Sequence, residues 1–228
     1  MKQVWFLERI DLFNLLCPHK FKAFRQEHQF QEYKRNDFIY LDQDDADKIY
    51  LIVNGKVKIS SYTEEGEEIV KAILTKGEVF GELAALGEAK RNDYAQSVSP
   101  TTICTVDNQT LQSLLRESKD FSISIYKLAG WRIKKLEHRL SLLMFKDART
   151  RLLEFLKNLG QEQGHCIGNT IEIQHFFTQK DIADLIGISR PTLNSLLNEL
   201  KNQGVVDFQR KVIRLYKNKI STVSQLTL

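Results

Sequence analysis

Residues 178–204, TQKDIADLIGISRPTLNSLLNELKNQG, hold the residues whose types and spacing could do chemistry. Arg190, Thr192, Asn194 and Ser195 fall at the start of one predicted helix, on the face opposite its leucines. There an arginine can pair with both acceptors of a guanine edge, an asparagine can do the same with adenine, and Arg190 is the first candidate for base readout. Thr178, Gln179, Lys180 and Ser189 suit phosphate oxygens, contacts that position a protein on a duplex without conveying sequence.

The same letters specify the elements that must hold these groups. Thr178 as N-cap, with Asp181 three residues on, opens a helix whose buried stripe is Ile182, Ala183 and Ile186. Gly187 allows a left-handed turn, Ser189 caps a second helix, and Pro191 sits in the first turn, where no N–H is needed. Leu193, Leu196, Leu197 and Leu200 form the buried face of that second helix, and Gly204 ends it. This is the pattern of a helix-turn-helix, whose second helix lies in a major groove. The following VVDFQRKVIRLY alternates as a hairpin with Gln209, Arg210 and Lys211 at its tip, a basic wing.

Other chemistries find no such constellation. There is no GxSxG elbow, no GxxxxGK[ST] phosphate loop and no HExxH helix, so nothing points to an enzyme. Cys17, Cys104 and Cys166 are widely spaced, with no CxxC pair, and read as three buried free thiols. His19, His28, His138, His165 and His175 are scattered without metal-ligand spacing and read as surface or half-buried residues, so no metal site is expected.

Ahead of the helix-turn-helix, the text from Phe30 to Val106 reads as short strands, FIYL, KIYLIVNG, KVKISSY, EEIVKAIL and TTICTV, separated by glycines. Regular short strands of this kind predict an antiparallel barrel or sandwich. LERIDLFNLL and HKFKAFRQ read as short helices packed outside it. From Thr110 to Leu159 the periodicity becomes helical, giving a long helix and then another, RTRLLEFLKNLG, ended by Gly160; a loop and a strand TIEIQHF follow. Tyr126, Ala129, Ile133, Leu136, Leu140 and Leu143 recur at intervals of three and four, the seam that two supercoiling helices bury, and predict a homodimer. The fold class is α+β.

With 228 residues, 42% hydrophobic and 27% charged, the composition is that of an ordinary soluble chain of two domains, and no apolar run is long enough to span a membrane or act as a signal peptide. A cytoplasmic protein is expected. The formal charge of +4 is polarised: the chain up to Thr105 is about −3 and the remainder about +7, as expected if only the C-terminal part meets a polyanion.

With GEVFGELAAL in the strand-rich part, a long helix and then FTQKDIADLIGISRPTL, the chain resembles the cyclic-AMP receptor protein and fumarate-nitrate reductase regulator (CRP/FNR) family over nearly its whole length. KIYLIVNGKVKI is similar to that family's strand-turn-strand signature. The resemblance implies an N-terminal antiparallel β-roll sensor of the cyclic-nucleotide-binding type over 1–106, a dimerisation helix and linker over 107–147, and a winged helix-turn-helix over 148–228. It further implies a regulator that binds a two-fold symmetric operator in double-stranded DNA as a homodimer, works with RNA polymerase and changes DNA affinity on a signal at the β-roll. Action through a protein partner, as in sensor domains attached to kinases or channels, is the alternative.

In cyclic-AMP binders of the family, the residues matching Gly81 and Glu82 hold phosphate and ribose, and a later arginine-serine pair clamps the phosphate. Aligned on Ala95, those two places hold Asp93 and Tyr94 here, with Arg91 two residues away; together with Leu83 these residues outline the expected effector pocket. The adenine-contacting threonine-serine pair is matched by Leu136 and Glu137, and Gln43 replaces a turn glycine. These departures argue against cyclic AMP and leave the effector open. The cysteine cluster of the oxygen-sensing branch is missing, so no iron-sulfur cluster is expected.

Overall fold

The structure is a computed structural model that describes residues 29–209 and 211–219. Cys17, His19, His28, the two N-terminal helical stretches and Arg210 lie outside the described residues. The described chain forms two compact units, one reaching to Ile133 and the other beginning at Lys134.

In the first unit, strands β1 (Gln29–Tyr33), β8 (Thr101–Asp107), β3 (Lys48–Asn54) and β6 (Val79–Phe80) make one antiparallel sheet in that order. Strands β2 (Phe38–Tyr40), β7 (Tyr94–Ser97), β4 (Lys56–Tyr62) and β5 (Glu68–Thr75) make the other. Tyr50, Ile52, Phe80 and Ile103 from the first sheet meet Tyr40, Val57, Ile59, Leu74 and Ala95 from the second in one core. Helix α1 (Asn108–Glu117) and the start of α2 (Lys119–Phe145) cover the other face of β3 and β8. Leu111, Leu114, Phe121, Ile125 and Leu128 there bury Ile49, Leu51 and Cys104. Strand β3 is therefore buried on both faces, which is why KIYLIV reads as an unbroken apolar run instead of an alternation. Strands β6 and β7 are very short and QFQEY of β1 lacks an apolar alternation, so these three were not expected.

The helical region holds three helices instead of two. Ser118 is extended and separates α1 from α2, and Asp147 caps α3 (Ala148–Gln163) by accepting from the Thr150 N–H at 2.7 Å. Helix α3 also runs through Gly160, which does not end it. A Cβ there would stand 3.1 Å from Leu215 Cδ1, so the glycine lets the helix lie close on the sheet beneath it.

That sheet belongs to the second unit, in the order β11 (Val206–Phe208), β12 (Val212–Tyr216), β10 (Thr170–Gln174), β9 (Gly164–Ile167). Strand β9 occupies the expected loop, and as an edge strand it leaves Cys166 exposed, not buried as expected. Cys104 is buried. Helices α4 (Gln179–Ile186) and α5 (Arg190–Asn202) complete the unit. No helix among the described residues is long and apolar enough to cross a membrane.

Candidate functional site

Helix α4 begins with a full capping box: Thr178 Oγ1 accepts from the Asp181 N–H at 3.1 Å, and Asp181 Oδ2 accepts from the Thr178 N–H at 2.7 Å. Gly187, at φ +68°, turns the chain, and the Ile188 N–H returns to the Ala183 carbonyl at 3.0 Å. Ser189 Oγ then accepts from the Thr192 N–H at 3.2 Å and opens α5, with Pro191 in its first turn. Ile182, Ala183, Leu185 and Ile186 of α4 and Leu193, Leu197 and Leu200 of α5 are buried, each full aliphatic burial contributing about 1.5–3 kcal/mol. Leu196, placed in the same stripe, is half-buried.

This packing fixes which groups face outward. Arg190, Thr192 and Ser195 are exposed on α5, as are Thr178, Lys180, Ser189 and Lys211 around it, while Gln179 is half-buried. The Thr192 hydroxyl is engaged with Ser189 Oγ at 2.7 Å, and Lys180 pairs with Asp184 at 3.2 Å. Behind the wing tip, Lys201 pairs with Asp207 at 3.1 Å and Arg214 with Glu172 at 2.9 Å. Arg190 stands outside these pairs. Asn194 differs from its neighbours: it is half-buried, and its amide oxygen is buried without a partner. It lines a pocket of about 270 Å³ with Gln179, Leu197, Asn198, Lys201 and Phe208, on the wing side of α5. Arg190 and Ser195 are thus both exposed on α5, whereas Asn194 is turned toward the wing residue Phe208.

His175 is not the surface or half-buried residue expected. It is only 6% exposed, its ring lies 5.1 Å from Phe208 and 6.4 Å from Phe177, and it ties the strand ahead of α4 to both sides of the wing tip. Its N–H donates to the Lys211 carbonyl at 2.9 Å, and Nε2 donates to the Gln209 carbonyl at 3.2 Å. Burial lowers the imidazole pKa from its usual 6.5, so the folded state takes up this proton less readily than the unfolded chain. The resulting stability is intact above about pH 6.5 and is lost as pH falls through the folded-state value. Thermal melts between pH 8 and 5 should therefore show a decline below about 6.5 that is reduced in His175→Gln. An unchanged slope in the variant would assign the decline to other groups.

In the first unit, Gly81, at φ +73°, leads into a single 3-10 turn over Glu82–Leu86. A Cβ on it would meet Tyr50 Cδ2 at 3.0 Å and Arg91 Nη1 at 3.1 Å. Arg91 is the notable neighbour. Only 2% exposed, it donates to the carbonyls of Gly81 at 3.1 Å and Lys48 at 2.5 Å, and its guanidinium lies 4.7 Å from the Tyr40 ring centroid. Arg91 thus reaches the Gly81 turn directly. Gln43, at φ +68°, occupies the left-handed conformation of a glycine, and its N–H fixes the Arg91 carbonyl at 3.0 Å.

Asp93 accepts from the Tyr40 hydroxyl at 3.0 Å and faces Lys71 at 3.5 Å. Tyr94 donates its hydroxyl to Glu68 at 2.5 Å and stacks on Tyr62, and burial followed by the Glu68 carboxylate raises its pKa. Ala95 is buried in the barrel core, and Leu83 is exposed. Glu82 is buried, and its Oε1 accepts from Arg132 of α2, which also donates to the Val79 carbonyl. Desolvation lowers the Arg132 pKa to about 10. Sequence reading missed Arg132 because it sits among other cations in WRIKK, beside the apolar seam, with no local signal that it turns toward Glu82. Two buried atoms here lack partners, Glu82 Oε2 and Arg91 Nε, one acceptor and one donor. No cluster of residues suited to a metal ion occurs among the described residues.

Comparison with known proteins assigns both units. Residues 30–118 match the family described as cyclic nucleotide-binding domain, and residues 150–217 match the Crp-like helix-turn-helix domain. A CRP-like cAMP-activated global transcriptional regulator of Mycobacterium tuberculosis is 26% identical over 207 residues, covering 91% of this chain and 92% of that protein. The global nitrogen regulator of Synechococcus elongatus is 29% identical over 203 residues, with 88% of each chain covered. Among solved structures, a CooA mutant from Carboxydothermus hydrogenoformans superposes with a TM-score of 0.78 at 24% identity, over 97% of this chain and 98% of that one, which establishes the shared fold. With both domain types present in this order and relatives of the same kind matching along most of its length, the chain belongs to the CRP/FNR family of transcriptional regulators.

Proposed function

We propose that the chain acts as a homodimer that reads a two-fold symmetric operator through α5 and is controlled by a ligand at the β-roll. In this reading residues 1–106 form the sensor, 107–147 the dimer helix and linker, and 148–228 the DNA-binding domain, and RNA polymerase is a partner. The observation that carries the proposal is the two-sidedness of α5: Leu193, Leu197 and Leu200 are buried, while Arg190 and Ser195 are exposed near its N-terminus among hydroxyl and cationic groups suited to phosphates. Arg190 reads a base edge. Thr178, Lys180, Ser189 and Lys211 position the protein on the backbone, Thr192 supports the helix start, and Asn194 reaches DNA from the wing side. The apolar residues on α2 supply the second protomer: Tyr126 is 73% exposed, Leu136 65% and Leu140 56%, with Ile133 and Leu143 also exposed on the helix. An uncovered row of this size at heptad spacing favours a partner helix.

For the ligand, the unpartnered Glu82 Oε2 suits a hydroxyl donor and the unpartnered Arg91 Nε suits an acceptor or anion. Asp93, which would otherwise set a bare carboxylate against an anion, accepts from Tyr40 and faces Lys71. Glu82 Oε2 and Arg91 Nε support a hydroxylated anion as the effector class.

Selecting duplexes from a random pool with the purified dimer, with and without cyclic AMP, tests the reading. It should return two inverted half-sites centred roughly 34 Å apart. Equal, purely salt-dependent affinity for every duplex would overturn it.

A further inference from the structure

The end of α2 does more than carry the apolar row. Arg139 Nη2 donates to the Asp184 carbonyl at 3.3 Å, at the C-terminus of α4, where the backbone presents its partial negative charge. Burial lowers the Arg139 pKa. One turn further along α2, Leu143 lies against the turn that follows α4. A Cβ built on Gly187 would stand 2.6 Å from Leu143 Cδ2 and 3.4 Å from Arg151 Nη1 of α3. Gly187 is therefore constrained twice, by its left-handed backbone and by the close approach of α2. Ser189, which caps α5, and Arg190, its first residue, follow within three positions. Every one of these contacts lies inside the second unit.

We infer that Arg139 and Leu143 are positioning residues for DNA reading: they clamp the Asp184–Gly187 turn to the end of α2 and so fix where α5 starts. The inference rests on α5 being the reading helix. A movement of the α2 end relative to the rest of the unit is then transmitted to Arg190 through a three-residue path of packed and hydrogen-bonded atoms, without passing through the core of α4 and α5. Leu143 thereby has a role beyond the helical seam, and the turn glycine is required for a tertiary contact as well as for its φ.

The test uses the full-length dimer and compares binding to the selected operator with binding to an unrelated duplex at one salt concentration, at protein concentrations where every variant sediments as the wild type does. Arg139→Gln and Leu143→Ala should each lower the operator-to-unrelated affinity ratio by roughly 3- to 30-fold and leave the unrelated duplex bound as before. Arg139→Lys should retain part of the ratio, since an ammonium still meets the helix terminus. Gly187→Ala should lower the ratio as well, and adding Leu143→Ala to it should restore part of the loss by making room for the new methyl. Where Gly187→Ala does not fold, the Arg139 and Leu143 variants decide alone. An unchanged ratio in both single variants, or a ratio that falls only in step with melting temperature, would overturn the inference. Arg190→Ala keeps the two claims apart: if it too leaves the ratio unchanged, the assignment of α5 as reading helix fails, and if it alone lowers the ratio, only the clamp fails.

Discussion

Leu136→Asp combined with Leu140→Asp is expected to give a folded, monomeric chain whose affinity for a two-half-site operator falls by about a hundred- to ten-thousandfold. A linked second half-site raises the overall affinity by about that factor, and a monomer forfeits it. Both leucines are more than half exposed within the chain, so the substitutions remove no intramolecular core contact, while facing carboxylates in a helical seam repel one another. Sedimentation velocity should show the monomer, and circular dichroism should show unchanged helicity. A variant that stays dimeric, or a monomer that binds the operator as tightly as the wild type, would show that the exposed row on α2 has another purpose.

Arg190→Ala is expected to lower operator affinity by about 1–3 kcal/mol, roughly 10- to 200-fold, and to relax the base preference at one base pair in each half-site. The specificity loss matters more than the affinity loss. A phosphate contact would weaken all sequences alike, whereas a bidentate base contact weakens chiefly the sequences that present the right acceptors. Arg190→Lys should recover little, because a single ammonium cannot reproduce the planar pair of donors. Repeating the duplex selection with each variant reads the result directly, and an unaltered consensus would remove Arg190 from base readout.

The two sites differed in how far their residues could be read in advance. The helix-turn-helix was legible nearly residue by residue, because each of its determinants is local. Thr178 and Asp181 satisfy each other's backbone across one turn, Ser189 accepts from the Thr192 N–H, and the left-handed φ of Gly187 is a local preference of glycine. The long helix region was less legible. Asp107 with Thr110 and Asp147 with Thr150 are capping pairs of the same local kind, and they mark the starts of α1 and α3, yet the continuous apolar spacing conceals the breaks. Gly160 misleads in the opposite way, since a glycine kept for close packing looks like one that ends a helix.

The β-roll pocket depended on contacts far apart in the chain. The resemblance to the family put Asp93 and Tyr94 at the two clamp positions of the expected pocket and Arg91 two residues away from them. The folded chain holds Asp93 on Tyr40, turns Tyr94 to Glu68, and buries Arg91 against Gly81 and Lys48, 10 and 43 residues away in sequence. Arg132 meets Glu82 across 50 residues. A buried cation takes whichever carbonyls and aromatic faces surround it, and those are set by strand register, which no single stretch of sequence encodes.

By itself, then, the sequence determined the parts governed by short-range physics: the class of fold, the helix-turn-helix with its caps and turn, the wing, the apolar row on the long helix, and Arg190 as an outward-facing cation. Tertiary structure alone decided that Asn194 turns to the wing, that His175 is buried between the wing and the strand before α4, that Arg91 and Glu82 share a buried site with Arg132 behind it, and that Arg139 and Leu143 hold the turn at Gly187. The physical reason is the range of the forces: capping, φ preference and periodicity act within one or two turns of chain, whereas the partners of a buried charge or the closest approach of two helices exist only after distant segments have packed.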